Sequence, residues 1–189
     1  DLSQLAFCTE TLCISLIDHG LLPDMISHKQ IIALNFSINH KMHKLSEKLI
    51  ATQSYEKIAV IDAESHSPLM CAIIQQDLNT FRNLLQSCPE ATLCNGRGHN
   101  PLHTLSQIDL PSSVTVTKMV GLLKIANVSF DHVDFVGNNP LMHACVNKKT
   151  ELSLELAKHT KDLKTVNYSG SHVLVMAIEN HNPFLFNYV

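Results

Sequence analysis

The residues best able to do chemistry are twelve histidines and six cysteines in a chain of 189. Imidazole nitrogen and thiolate sulfur are the usual zinc ligands, and a thiolate beside an imidazole is a nucleophile. Spacing decides whether such groups can act together. His40 and His43 stand three residues apart and can share a helix face, which is half of a zinc site. No third or fourth ligand follows at a recognisable distance, and solvated surface histidines explain the pair more simply. Cys8, Cys13, Cys71, Cys88, Cys94 and Cys145 form no C-x-x-C pair. A catalytic thiol needs an electropositive, accessible setting, and nothing flanking these six predicts one. Cys71 and Cys145 fall on helix faces expected to be buried, where free cysteine acts as a small hydrophobe. So few cysteines in so long a chain make no disulfide framework. All six read as reduced thiols in a reducing compartment, hence a cytoplasmic location.

His99 and His103 flank Pro101 at the distance of one helical turn. Gly96-Arg97-Gly98 is not a phosphate loop, because Pro101-Leu102 belongs to a turn that leads into a helix. Paired carboxylates, a nucleophile elbow and a Gly-rich strand–helix turn are all missing from the sequence. No catalytic residue, no cofactor and no metal site is therefore expected, and the chain does not read as an enzyme.

The element that positions these residues is a repeated unit. Asp134 to Ala144 holds a turn (Val136-Gly137-Asn138), a capping Asn139, Pro140 and then an apolar run. Asn accepts from the orphan N–H groups of a helix start, and Pro lacks the N–H that would be wasted there. Asp62 to Ala72 is one copy, Asn95 to His103 a second and Asn167 to Ala177 a looser fourth. The starts at 62, 95, 134 and 167 lie 33, 39 and 33 residues apart.

A period of 33 with a Thr-Pro-Leu-His-like phrase resembles the ankyrin-repeat family. The resemblance implies an all-α fold: a solenoid of stacked antiparallel helix pairs with short hairpin turns. Second helices are then expected around Thr80–Leu85 and Lys118–Leu123, and Asn127-Val128-Ser129-Phe130-Asp131 stands where the family's closing phrase falls. The family's histidine survives only as His103; Met70, Met142 and Val175 replace it elsewhere, which removes its inter-turn hydrogen bond from those copies. Four repeats follow, 62–94, 95–133, 134–166 and a shortened 167–189 in which Asn182-Pro183 opens a second helix. Leu69, Leu102, Leu141 and Leu174 share one repeat position and are expected in the core. The six extra residues of the second repeat belong between its helices, around Ile108–Ser113, where Pro111 breaks a helix and Ser112 or Ser113 caps the next.

Residues 1–61 read as an N-terminal helical cap made of degenerate ankyrin-like repeats. Leu2–Ile17 is apolar at helical spacing, with Leu5, Leu12, Leu16 and Ile17 to one side. Gly20 and Pro23 end that helix, a further helix is expected over Pro23–Ala33, and Leu34–His43 with Lys44–Thr52 forms a weaker pair. Residues 1–22 resemble the remainder of a repeat whose start lies upstream.

The bounds agree with a binding role. A net charge of −3 gives no basic stripe, so nucleic acid is not an expected partner. No apolar run approaches the roughly 20 residues of a membrane span, and a monomer without membrane insertion is expected. The expected function is recognition of another protein through hairpin tips and the concave helical face. Carried over position by position, the resemblance puts the partner on Arg97, His99, Phe135, Val136, Asn138, Tyr168, Ser169 and Ser171. Ala63, Glu64, His66 and Gly96, with the first-helix ends Gln75, Gln107, Asn147, Glu179 and Asn180, are further candidates. Phe135, Val136 and Tyr168 stand out, since turn tips are normally polar and aromatic anchors are enriched at binding hot spots. The alternative is that this chain is the targeting part of a larger enzyme, or of a secreted bacterial effector working in host cytoplasm, whose catalytic region lies outside it.

Overall fold

The computed structural model describes residues 2–19, 33–52, 61–62, 65–87 and 94–181, with the side chains of 2–8 excepted. Among the described residues the fold is all-α, with one isolated antiparallel bridge, Val166–His172, and no strand. None of the described helices is long and apolar enough to cross a membrane. The chain divides into two compact units, Asp1–Leu93 and Cys94–Val189.

In the first unit, α1 (Leu2–Asp18) precedes two helix pairs, α2 (Ala33–Asn39) with α3 (His43–Thr52), and α4 (Pro68–Ile74) with α5 (Leu78–Ser87). Like packs on like: α2 lies against α4, α3 against α5, and α1 against α3. Leu34, Leu49, Leu69, Met70, Phe81 and Leu84 are fully buried between them. Asn35, only 2% exposed, donates to Asp62 Oδ2 (2.8 Å) and to the His66 carbonyl (2.9 Å), tying α2 to the turn before α4.

The second unit contains α6 (Pro101–Leu105), α7 (Ser113–Ile125), α8 (Pro140–Val146), α9 (Thr150–Ala157) and α10 (Val173–Glu179). Here too first helices stack on first helices, α6 on α8 and α8 on α10, while α7 stacks on α9.

Local chemistry sets the ends of these helices. Ser67 Oγ accepts from Met70 N, Asn100 Oδ1 from Leu102 N and His103 N, and Asn139 Oδ1 from Met142 N. His172 takes over where the Ser/Asn-Pro phrase lapses, with Nδ1 accepting from Leu174 N at 3.2 Å. Three of the first helices, α2, α4 and α8, then stop in the same turn. Lys41, Gln76 and Lys148 have φ of 56°, 57° and 57°. The amide after each of them donates five residues back, Met42 to Ser37, Asp77 to Ala72 and Lys149 to Ala144. This left-handed closure satisfies carbonyls orphaned at a helix C-terminus. It also shortens the first helix expected over Leu34–His43: α2 ends at Asn39 because Lys41 and Met42 are used by the turn.

Leu69, Leu102 and Leu141 are wholly buried, whereas Leu174 is only partly so. On α1, Ile17 is buried but Leu12 and Leu16 remain 60% and 43% exposed, so the apolar side read from the sequence is only partly covered. Of the helix expected over Pro23–Ala33 only Ala33 is described, as the first residue of α2; the helix expected after Asn182 lies outside the described residues, as do Ala63 and Glu64.

The connection at 106–112 replaces the three-residue turn seen elsewhere. Ser112 caps α7 by accepting from Thr115 N. The segment is fastened to the turn after α8: Asn147 Nδ2 donates to the Ser106 carbonyl (3.0 Å) and Lys149 pairs with Asp109.

Candidate functional site

Four turns with one design precede the first helices. A side-chain oxygen at the first position accepts backbone amides two and four residues on. Asn95 Oδ1 takes Arg97 N and His99 N, Asp134 Oδ1 takes Val136 N and Asn138 N, and Asn167 Oδ1 takes Ser169 N and Ser171 N, at 2.9–3.0 Å. Asp62 Oδ1 makes the second of these bonds, to His66 N. Asx side chains mimic a backbone turn in this way. The fourth position is left-handed in every copy: Ser65, Gly98, Gly137 and Gly170 have φ of 64°, 78°, 83° and 80°.

Neighbouring tips in the second unit are bonded to one another. Phe135 N donates to the Arg97 carbonyl (3.2 Å) and Tyr168 N to the Val136 carbonyl (3.1 Å). The rings lie over the glycine of the preceding turn. A methyl group at Gly98 would come within 2.9 Å of the Phe135 ring, and one at Gly137 within 2.9 Å of Tyr168 N. Gly137→Ala meets both a left-handed backbone and a backbone clash, so a loss of at least about 1–2 kcal/mol in urea unfolding is expected. An unchanged midpoint would show that the two tips are not held this closely.

Outward from this ladder stand Phe135, Val136 and Tyr168, which are 71%, 56% and 77% exposed. Arg97 and Ser169 are exposed beside them; Asn138 and Ser171 are half-buried. Asn138 Oδ1 accepts from Asn167 Nδ2 at 2.8 Å and helps to hold the next turn. His99 departs from the expected strip. It is only 7% exposed and faces inward, because the fifth turn position already leads toward the capping Asn100.

Behind the tips lies a set of polar side chains that linear spacing does not reveal. His143 Nε2 is 2.7 Å and His99 Nε2 3.4 Å from the same oxygen, Asp134 Oδ2. Asp134 is 3% exposed. Burial pushes its carboxyl up, but bonds from His143, Asn138 N and Val136 N outweigh that and hold it below the usual carboxylate value. Burial, reinforced by His143, lowers the affinity of His99 for a proton despite Asp134.

His103 stacks on His99 with ring centroids 5.3 Å apart. Its Nε2 donates to the Asn138 carbonyl at 3.0 Å, leaving Nδ1 to accept from Asn100 N at 3.2 Å. Both bonds fit the neutral ring, and burial pushes the His103 pKa down to about 3. This side chain joins the second turn to the third, as the resemblance implied for this position.

Cys94 Sγ lies 3.0 Å from His132 Nε2, which is also 3.0 Å from the Gly98 carbonyl. A carbonyl can only accept, so Nε2 carries the proton and cannot act as a base toward the thiol. Burial also raises the Cys94 pKa and pushes that of Cys145 up to about 11. Neither thiol is an activated nucleophile. Cys13, Cys71, Cys94 and Cys145 form no disulfide.

No protein-family model matches the sequence, and no curated protein matches it either.

Proposed function

We propose that this chain is an ankyrin-type repeat protein that binds another protein through the tips of its second unit. The observation that carries the reading is the row Phe135, Val136 and Tyr168, three large apolar side chains more than half exposed on adjoining turns. Isolated apolar residues on a surface need no explanation, whereas a contiguous rigid group edged by polar residues has the make-up of a recognition patch. Arg97 and Ser169 supply that edge. The tip-to-tip amide bonds fix the backbone under the rings beforehand, which lowers the ordering cost of binding. The 33-residue period, the helix pairs with like stacked on like, and the His103 bond across turns support the ankyrin-type reading. Described cysteines that form no disulfide fit a cytoplasmic setting.

The experiment compares capture by the wild type with capture by Phe135→Ala and Tyr168→Ala. Phe135→Ala should weaken binding of a captured partner by at least about 1 kcal/mol. Thermal unfolding should move little, because most of the ring already faces water. Val114→Ala and Ile125→Ala, at α7 side chains 60% and 80% exposed, should leave capture unchanged. Equal loss with those controls would mark general stickiness. A large drop in melting temperature with binding spared would make the Phe135 ring a packing element.

A further inference from the structure

Beyond partner binding, and independently of it, the geometry points to a transition-metal site formed by His99, Asp134 and His143, suited to zinc. The three residues come from three elements: the turn before α6, the turn before α8, and α8 itself. One ligand atom from each lies within 4.8 Å of the other two. Around a tetrahedral zinc with bonds of about 2.0–2.1 Å, neighbouring ligand atoms stand about 3.3 Å apart. The two distances to Asp134 Oδ2, 2.7 and 3.4 Å, bracket that value. A small opening on the His143 side makes room for an ion, and both imidazoles present Nε2 to the same Asp134 oxygen. The ligand atoms of all three residues already lie within 4.8 Å of one another.

The surroundings have the form that holds such ligands in place. A ligating histidine donates its other ring N–H to an acceptor, and a ligating carboxylate is itself hydrogen-bonded. The Gln107 amide lies 3.3 Å from His99 Nδ1, and a rotation of that exposed amide presents its oxygen as the acceptor. Asp134 keeps Oδ1 engaged by two backbone amides at 2.9 Å, leaving Oδ2 for the ion. His143 is 17% exposed at its side chain, which gives an ion a route from solvent. Two imidazoles and one carboxylate favour zinc over magnesium or calcium, which prefer all-oxygen shells. On binding, each imidazole Nε2 gives up its share in a proton and offers its lone pair, so the ring proton resides on Nδ1.

The test uses the whole chain, stripped with chelator and titrated with Co²⁺, then with Zn²⁺ in competition. One Co²⁺ per chain should bind, with the visible absorption of a four-coordinate ion, and Zn²⁺ should displace it. A hundredfold excess of Zn²⁺ over its dissociation constant should raise the melting temperature by about 5 °C or more, and Mg²⁺ should not. His143→Ala should weaken Co²⁺ binding by more than the roughly 10–100-fold lost on changing an outer-shell residue. His40→Ala should leave it unchanged. If His143→Ala does not fold, Gln107→Leu at an exposed side chain serves instead, with an expected weakening of about tenfold or more. The site is overturned by any of three results: no saturable Co²⁺ signal, binding that survives His143→Ala or Gln107→Leu intact, or binding lost with His40→Ala.

Discussion

Truncating Leu141 to alanine should cost about 2–5 kcal/mol of folding free energy, the range for buried leucines that leave a cavity behind. Leu141 is wholly buried on α8, and α8 packs against α6 on one side, α10 on the other and α9 across its own pair. Interiors at crystal-like density do not collapse to fill a void left there. The equivalent change at Leu174, which is only partly buried, should cost less. Urea unfolding of both variants measures the difference through the midpoints, with slopes unchanged. A Leu141→Ala loss below about 1 kcal/mol, typical of surface changes, would place the residue outside the core.

The second large effect is acid lability. His103 has a folded pKa of about 3 against a reference of 6.5. Below 6.5 the unfolded chain binds a proton that the folded chain refuses, so protonation favours unfolding. The stabilising contribution is complete above pH 6.5 and declines continuously as the pH falls toward 3. At about 1.4 kcal/mol per pH unit for one proton, His103 alone should remove about 2 kcal/mol between pH 6.5 and 5. His99 is shifted in the same direction and should steepen the slope. Asp134, held below its usual 3.8, adds a further loss only once the pH falls below that value. Urea unfolding between pH 7 and 5 in the presence of chelator should show the decline, and His103→Gln should flatten it. A flat wild-type profile over that interval would contradict the buried, neutral assignment.

The sequence made the helix starts legible because their chemistry is local. Ser67-Pro68, Asn100-Pro101 and Asn139-Pro140 each place a cap beside a residue preset for the first turn, and a helix begins at each. The break at Pro111 was legible for the same reason, and of the two candidate caps, Ser112 and Ser113, the structure uses Ser112. Apart from the His103 bond, arrangements made between one turn and the next could not be read. His99, Asp134 and His143 lie 35 and 9 residues apart, and only stacking of one turn on the next brings them together. The inward direction of His99 is likewise a tertiary fact. Its turn position looks exposed in one dimension, but the chain is already bending toward Asn100. The end of α2 was misplaced because Lys41 carries no glycine-like signal, although its φ is left-handed.

The ladder of turns also has a consequence for motion. Phe135 and Tyr168 show most of their side chains to water, yet their amide hydrogens are committed to the carbonyls of Arg97 and Val136 in the turns before them. Solvent deuterium can replace those hydrogens only when one turn parts from its neighbour. Their exchange rates therefore report separation between successive turns, while amides within a helix report its own fraying. Two exposed loop positions become gauges of how firmly each turn adheres to the one before it.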